Sequence, residues 1–193
     1  MKKQFLIFLF LLSLAASVSA QTKEARKIDE FGFKQCGEFN ARVDLILQTY
    51  INDSDSKIYV IYYEEKSHNA LQKTKTGEKI AQENPRRGNA LNRAKEIVLY
   101  AEARKNDYLK YIKESGNNST ISPKIKSAVE NIVLIDGGYR EEFIQEIWIV
   151  PNGAKAPIPT PTLQEKDIKF AKEKPRRSRQ CARAYDMYEN PNF

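Results

Sequence analysis

The chain has 193 residues, 41% hydrophobic and 30% charged, with 32 Lys and Arg against 25 Asp and Glu for a formal net charge of +7. That length fits one domain with room for a sizeable core. The positive surplus is mild and interleaved with acids, without the concentrated basic stripe of a nucleic-acid binder, so nucleic acid is not an expected partner.

Lys2 and Lys3 precede an apolar run from Phe5 to Leu14, and small residues come after it up to Val18-Ser19-Ala20. This order reads as a secretory signal over residues 1–20, cleaved after Ala20. A membrane anchor needs roughly 20 apolar residues, more than this run supplies, and no stop-transfer segment succeeds it. Export to the periplasm or the extracellular space is therefore expected, with no transmembrane segment left after cleavage. Gln21, not cysteine, stands after the cleavage point, so the lipid attachment of bacterial lipoproteins is not expected.

After the signal, "ARKIDEFGF" reads as a short strand ending near Gly32. Cys36, Phe39, Val43, Ile46, Leu47 and Tyr50 then recur at three- and four-residue steps, which predicts an amphipathic helix over Cys36 to Tyr50. "NDSDS" ends it with side chains that compete for backbone hydrogen bonds. "KIYVIYY", Lys57 to Tyr63, is apolar without interruption, as a strand covered on both faces would be. From Glu64 to Arg87 the chain is polar and reads as a long loop able to form a binding rim. Leu91, Ala94, Ile97, Val98, Ala101, Tyr108 and Ile112 predict a second, longer helix with a bend near Asn106-Asp107.

Ile132 to Ile135 is a further apolar run, Asp136-Gly137-Gly138 comes next, and a last strand over Phe143 to Val150 stops at Pro151. The glycine pair reads as the bend of a hairpin between these two strands. Strand, helix, strand, helix, strand, strand is the order of an α/β (α+β) sandwich, with the helices on one face of a mixed sheet, over residues 21–151. Residues 152–193 form a tail, first proline-rich and extended, then basic. Two cysteines in an exported chain favour a Cys36–Cys181 disulfide that fastens this tail beside the first helix.

Catalytic and cofactor patterns are missing from the sequence. Neither G-x-G-x-x-G nor G-x-x-x-x-G-K-[ST] occurs, so no nucleotide cofactor is expected. His68 is the only histidine, and no H-E-x-x-H or clustered cysteine spacing accompanies it, which disfavours a metal site. No G-x-S-x-G elbow is available for a serine triad. Acidic pairs are present at Glu64-Glu65 and Glu141-Glu142, and glycoside hydrolysis needs only two carboxyl groups.

The export signal, the element order and "RAKEI" in the second helix (Arg93, Ala94, Ile97) resemble the OmpA-like domain of bacterial envelopes. In that family an aspartate after the second strand and a helix arginine hold the diaminopimelate of peptidoglycan. A carboxylate there takes the ammonium end, and a guanidinium forks onto the carboxylate end. The resemblance implies Arg93 as the arginine, with Glu64 and Glu65 standing in the aspartate's place and Asn89 where the helix motif has leucine. The segment "DGGYREEFIQEIWIVPNGA" is also similar to one in uncharacterised exported bacterial proteins. Together these features imply a non-enzymatic exported binding domain that contacts peptidoglycan or another envelope component. Two alternatives stand beside it: a protein-partner module using Tyr59, Tyr62, Tyr63, Tyr100, Tyr108 and Tyr111 with the proline-rich tail, and a hydrolase built on the acidic pairs.

Overall fold

The computed structural model describes residues 23–74, 77–116, 121–175 and 181. The expected signal and most of the terminal basic stretch lie outside the described residues. The architecture is α+β. Strands β1 (Arg26–Phe31), β2 (Ser56–Glu65), β5 (Ile132–Arg140) and β6 (Ile144–Pro151) form a mixed sheet in the order β1-β6-β2-β5. Helices α1 (Cys36–Asn52), α2 (Asn89–Ser115) and α3 (Ile121–Glu130) lie on it, and a separate hairpin joins β3 (His68–Thr74) to β4 (Gly77–Glu83). The element order expected from the sequence holds, with this hairpin and α3 added to it.

The helix periodicities translate directly into buried faces. Phe39, Val43, Ile46, Leu47 and Tyr50 are the buried residues of α1. In α2 the buried face carries Ala90, Ala94, Ile97, Tyr100 and Ala101, and its alanines let the helix axis approach the sheet closely. Helix α2 continues through Asn106-Asp107 without a break, so the expected bend does not interrupt it. Central strand β2 meets the helices through Ile58, Val60 and Tyr62, all members of the main core with Ile147 and Ile149 of β6. Each such aliphatic side chain, fully buried, stabilises by about 1.5–3 kcal/mol.

The polar stretch from Glu64 to Arg87 is not a loop: seven residue pairs, from His68↔Glu83 to Thr74↔Gly77, make it an antiparallel ladder. Its polarity hides the strands, because a stretch without alternating apolar residues leaves no strand period to read. Helix α3 is hidden in the sequence for a related reason. Among the residues whose burial is described, it contributes Ile125, Ala128 and Val129 to the interior, too few for a clear period.

The glycine pair is a second correction. Gly137 and Gly138 lie inside β5, and β5 does not pair with β6, because β2 runs between them, parallel to β5 and antiparallel to β6. Between Tyr62↔Asp136 and Glu64↔Tyr139 the register advances two residues on β2 and three on β5. This is a bulge. Gly138 takes φ +83° there, and its amide donates to Asp136 Oδ1 at 2.9 Å. The reversal itself occurs at Glu141–Phe143.

The tail covers the other face of the sheet. Alternation along β2 turns Tyr63 away from Tyr62 and the helices, and the Tyr63 hydroxyl accepts a hydrogen bond from the Thr160 amide at 3.0 Å. Arg140 lies over the Tyr63 ring, 3.7 Å from its centroid, and donates to Thr160 Oγ1 and Glu146 Oε1. The Tyr139 carbonyl receives the amides of Thr162 and Leu163. Further on, Arg87 pairs with Glu165 and stacks on Phe170, and the Ala171 amide donates to the Pro85 carbonyl. The expected disulfide is present: Cys181, 145 residues from its partner, is bonded to Cys36 at the first turn of α1. The tail is thus a strap, laid along the back of the sheet, carried past the start of α2 and locked to α1.

Candidate functional site

Three chain segments converge where β1 ends. The connection Gly32–Gln35, the first turns of α2 and the start of β6 enclose a cavity of about 500 Å³. Phe31, Phe33, Phe39 and Phe143 give it apolar walls, Arg93 and Gln145 supply polar groups, and the disulfide cysteines close one side.

Arg93 sits about one turn into α2, where its side chain reaches back over the mouth of the cavity. Its guanidinium lies 5.1 Å from the Phe33 ring centroid and 4.6 Å from that of Phe143. This is a double cation–π clamp, favourable when part of the water is excluded. Its one ion pair among the described residues is with Glu65 Oε1, at 3.7 Å. That is too long for a hydrogen bond. The planar fork is therefore held by rings, and among the described residues its N–H donors make no hydrogen bond.

The structure brings two of the three sequence-derived site residues together and gives the third another task. Glu65 is buried beside Arg93, its carboxyl pushed above the usual range by burial, with Arg93 pulling it down and Glu64 raising it further. Glu64 instead accepts the backbone amides of Gly88 at 2.6 Å and Ala90 at 3.3 Å. Gly88, the residue before α2, has no side chain with which to cap the helix, so Glu64 of the neighbouring strand satisfies those amides and meets the positive end of the helix dipole. Burial still raises the Glu64 pKa; the two amides and Arg93 oppose it. Of the three residues, Arg93 alone lines the cavity.

Phe33 escapes a reading of the sequence because it stands on a connection far from Phe143 and Gln145, which share the start of β6, and only the fold brings the three to one cavity. One signal is available: Phe33 and Phe143 are aromatic residues in polar surroundings at element ends. Gln145 is 2% exposed, and its Oε1 has no hydrogen-bond partner among the described residues. Such a group costs free energy unless something else pairs with it.

The remaining candidates separate. Glu141 pairs with Lys66 at the surface, whereas Glu64 and Glu65 are buried. His68 lies 3.7 Å from Glu65 and 3.4 Å from Glu83. Among the described residues no group of three or more His, Cys, Asp or Glu side chains is arranged to hold a metal ion. Tyr62, Tyr63 and Tyr100 are core residues, whereas Tyr111 is 64% exposed. No helix among the described residues is long and apolar enough to cross a membrane. Comparison of the chain with family models, with curated proteins and with solved structures returns no match.

Proposed function

We propose that this chain is a non-enzymatic binding domain of the cell envelope or its surroundings, exported by its N-terminal signal, with the Arg93 cavity as its ligand site. One observation carries the reading: a guanidinium clamped between two aromatic rings at the mouth of a cavity, its fork uncommitted, with the buried Glu65 carboxyl behind it. A cation presented this way recognises a carboxylate. Peptidoglycan stem peptides carry such groups, and the likeness of "RAKEI" and the element order to the OmpA-like domain supports the same target.

The described geometry supports binding more than turnover. Glu64 is engaged with the N-terminus of α2, which leaves the Glu64-Glu65 pair without the free partner that acid–base hydrolysis needs. Co-sedimentation of the purified chain with peptidoglycan sacculi tests the reading. Wild type should pellet with the sacculi and Arg93→Ala should remain in solution; background pelleting of both removes the cell wall as target.

A further inference from the structure

We infer that the Arg93 cavity takes the free carboxyl end of a peptide whose last residue is apolar, an inference that rests on this cavity being the ligand site. The chemistry of the lining selects that class. Arg93 supplies an uncommitted fork on the wall, and a carboxylate matches it. Lys34 and Glu96 are the other charged residues lining the cavity; Lys34 is occupied with Glu38 at 3.1 Å, and buried Glu96 also has interactions of its own.

In the same cavity, Gln145 presents a buried acceptor that no described residue satisfies. A ligand N–H removes that penalty, and the amide of an N-acylated terminal residue carries one next to its carboxylate. Apolar surface comes from Phe31, Phe33, Phe39 and Phe143. A fully polar ligand would be desolvated there without compensation, whereas an apolar side chain gains contact area. A cavity of about 500 Å³ is in the range of small-molecule sites, large enough for one residue and its acyl group. Carboxylate, N–H and apolar body are thus each met by a separate feature of one site.

Three small probes separate these requirements: N-acetylphenylalanine, its carboxamide N-acetylphenylalaninamide, and 3-phenylpropionate, which keeps the carboxylate and lacks the N–H. Titrations followed by protein NMR on the full oxidised chain should rank N-acetylphenylalanine first. The carboxamide should bind about tenfold more weakly because the charge-assisted bonds to Arg93 are lost, and 3-phenylpropionate about fivefold more weakly because Gln145 stays unpaired. In Gln145→Leu the first and third probes should become equal. Equal affinity of acid and carboxamide for wild type overturns the inference, as does no binding of any probe up to about 10 mM, a limit that still detects millimolar sites. The wild-type series decides the matter even where a variant fails to fold. Arg93-dependent sedimentation with sacculi but no discrimination among the probes rejects the ligand class and leaves the cell-wall reading standing; discrimination without sedimentation does the reverse.

Discussion

Tyr63 packs so closely on Gly137 that a Cβ at residue 137 would stand 2.5 Å from the ring's Cε1, with Ile61 Cγ2 at 2.8 Å. Both neighbours are fully buried under the strap. The Tyr63 ring cannot withdraw without disturbing Thr160 and Arg140, which hold it. Gly137→Ala is therefore expected to destabilise by about 1–3 kcal/mol through overpacking alone. Urea denaturation measures it, and a midpoint equal to wild type would mean that strand β5 does not lie where Tyr63 confines it.

The disulfide closes a loop of 145 residues. In the chain-entropy model such a link stabilises by up to about 5 kcal/mol, with native strain and denatured-state structure reducing the figure. Treatment with a dithiol should lower the melting temperature clearly, and the Cys36→Ser, Cys181→Ser double variant should melt where the reduced protein does. An unchanged transition on reduction contradicts the bond.

Removing residues after Asn152 takes away the strap while leaving both edges of the sheet. Ile61 and Tyr63, fully buried in the intact chain, then face water. The cut also removes Cys181 and its bond to Cys36, so the reference is the Cys36→Ser, Cys181→Ser double variant, against which the expected further loss is about 3–6 kcal/mol for two large side chains exposed. Enhanced binding of a hydrophobic dye should accompany it; a shortened chain as stable as that double variant would show that the proline-rich segment is dispensable cover.

The acid pair at the end of β2 gives a pH dependence of defined sign. Folding raises the Glu64 and Glu65 pKa values through burial, so the native state holds their protons more tightly than the unfolded chain does. Stability from these groups is fully present below the ordinary glutamate range and is lost as pH rises through the raised values. Glu65→Gln removes one of the two. Its stability relative to wild type should improve as pH increases across that window, read from denaturation midpoints at a series of pH values. A difference independent of pH would show that Glu65 titrates as an ordinary surface carboxyl.

How much of this fold is legible in the sequence depends on the range of each interaction. Helix α1 and strand β2 announce themselves, because the three- and four-residue recurrence from Cys36 to Tyr50 and the unbroken run from Lys57 to Tyr63 are local patterns that burial imposes directly. Asp136-Gly137-Gly138 has the same local composition whether it makes a turn or a bulge. The identity of the strand beside it decides between the two, and that strand lies more than 70 residues earlier in the chain. The site divides in the same way. Arg93 and Glu65 are picked out by resemblance, but that they form an ion pair depends on how α2 meets β2, a separate element. Glu64 is legible as an acid and illegible as a helix cap, since its role depends on how β2 meets Gly88.

Strand β2 hydrogen-bonds on both sides to segments that lie near the far end of the chain, β5 at Ile132–Arg140 and β6 at Ile144–Pro151. During synthesis from the N-terminus, the most apolar stretch of the domain waits with both edges bare until β5 has emerged, and with one edge bare until β6 has. Sheet assembly is then a late, nearly simultaneous event, slow for its size because distant segments must meet first. The waiting strand is the segment that a holding chaperone would grip.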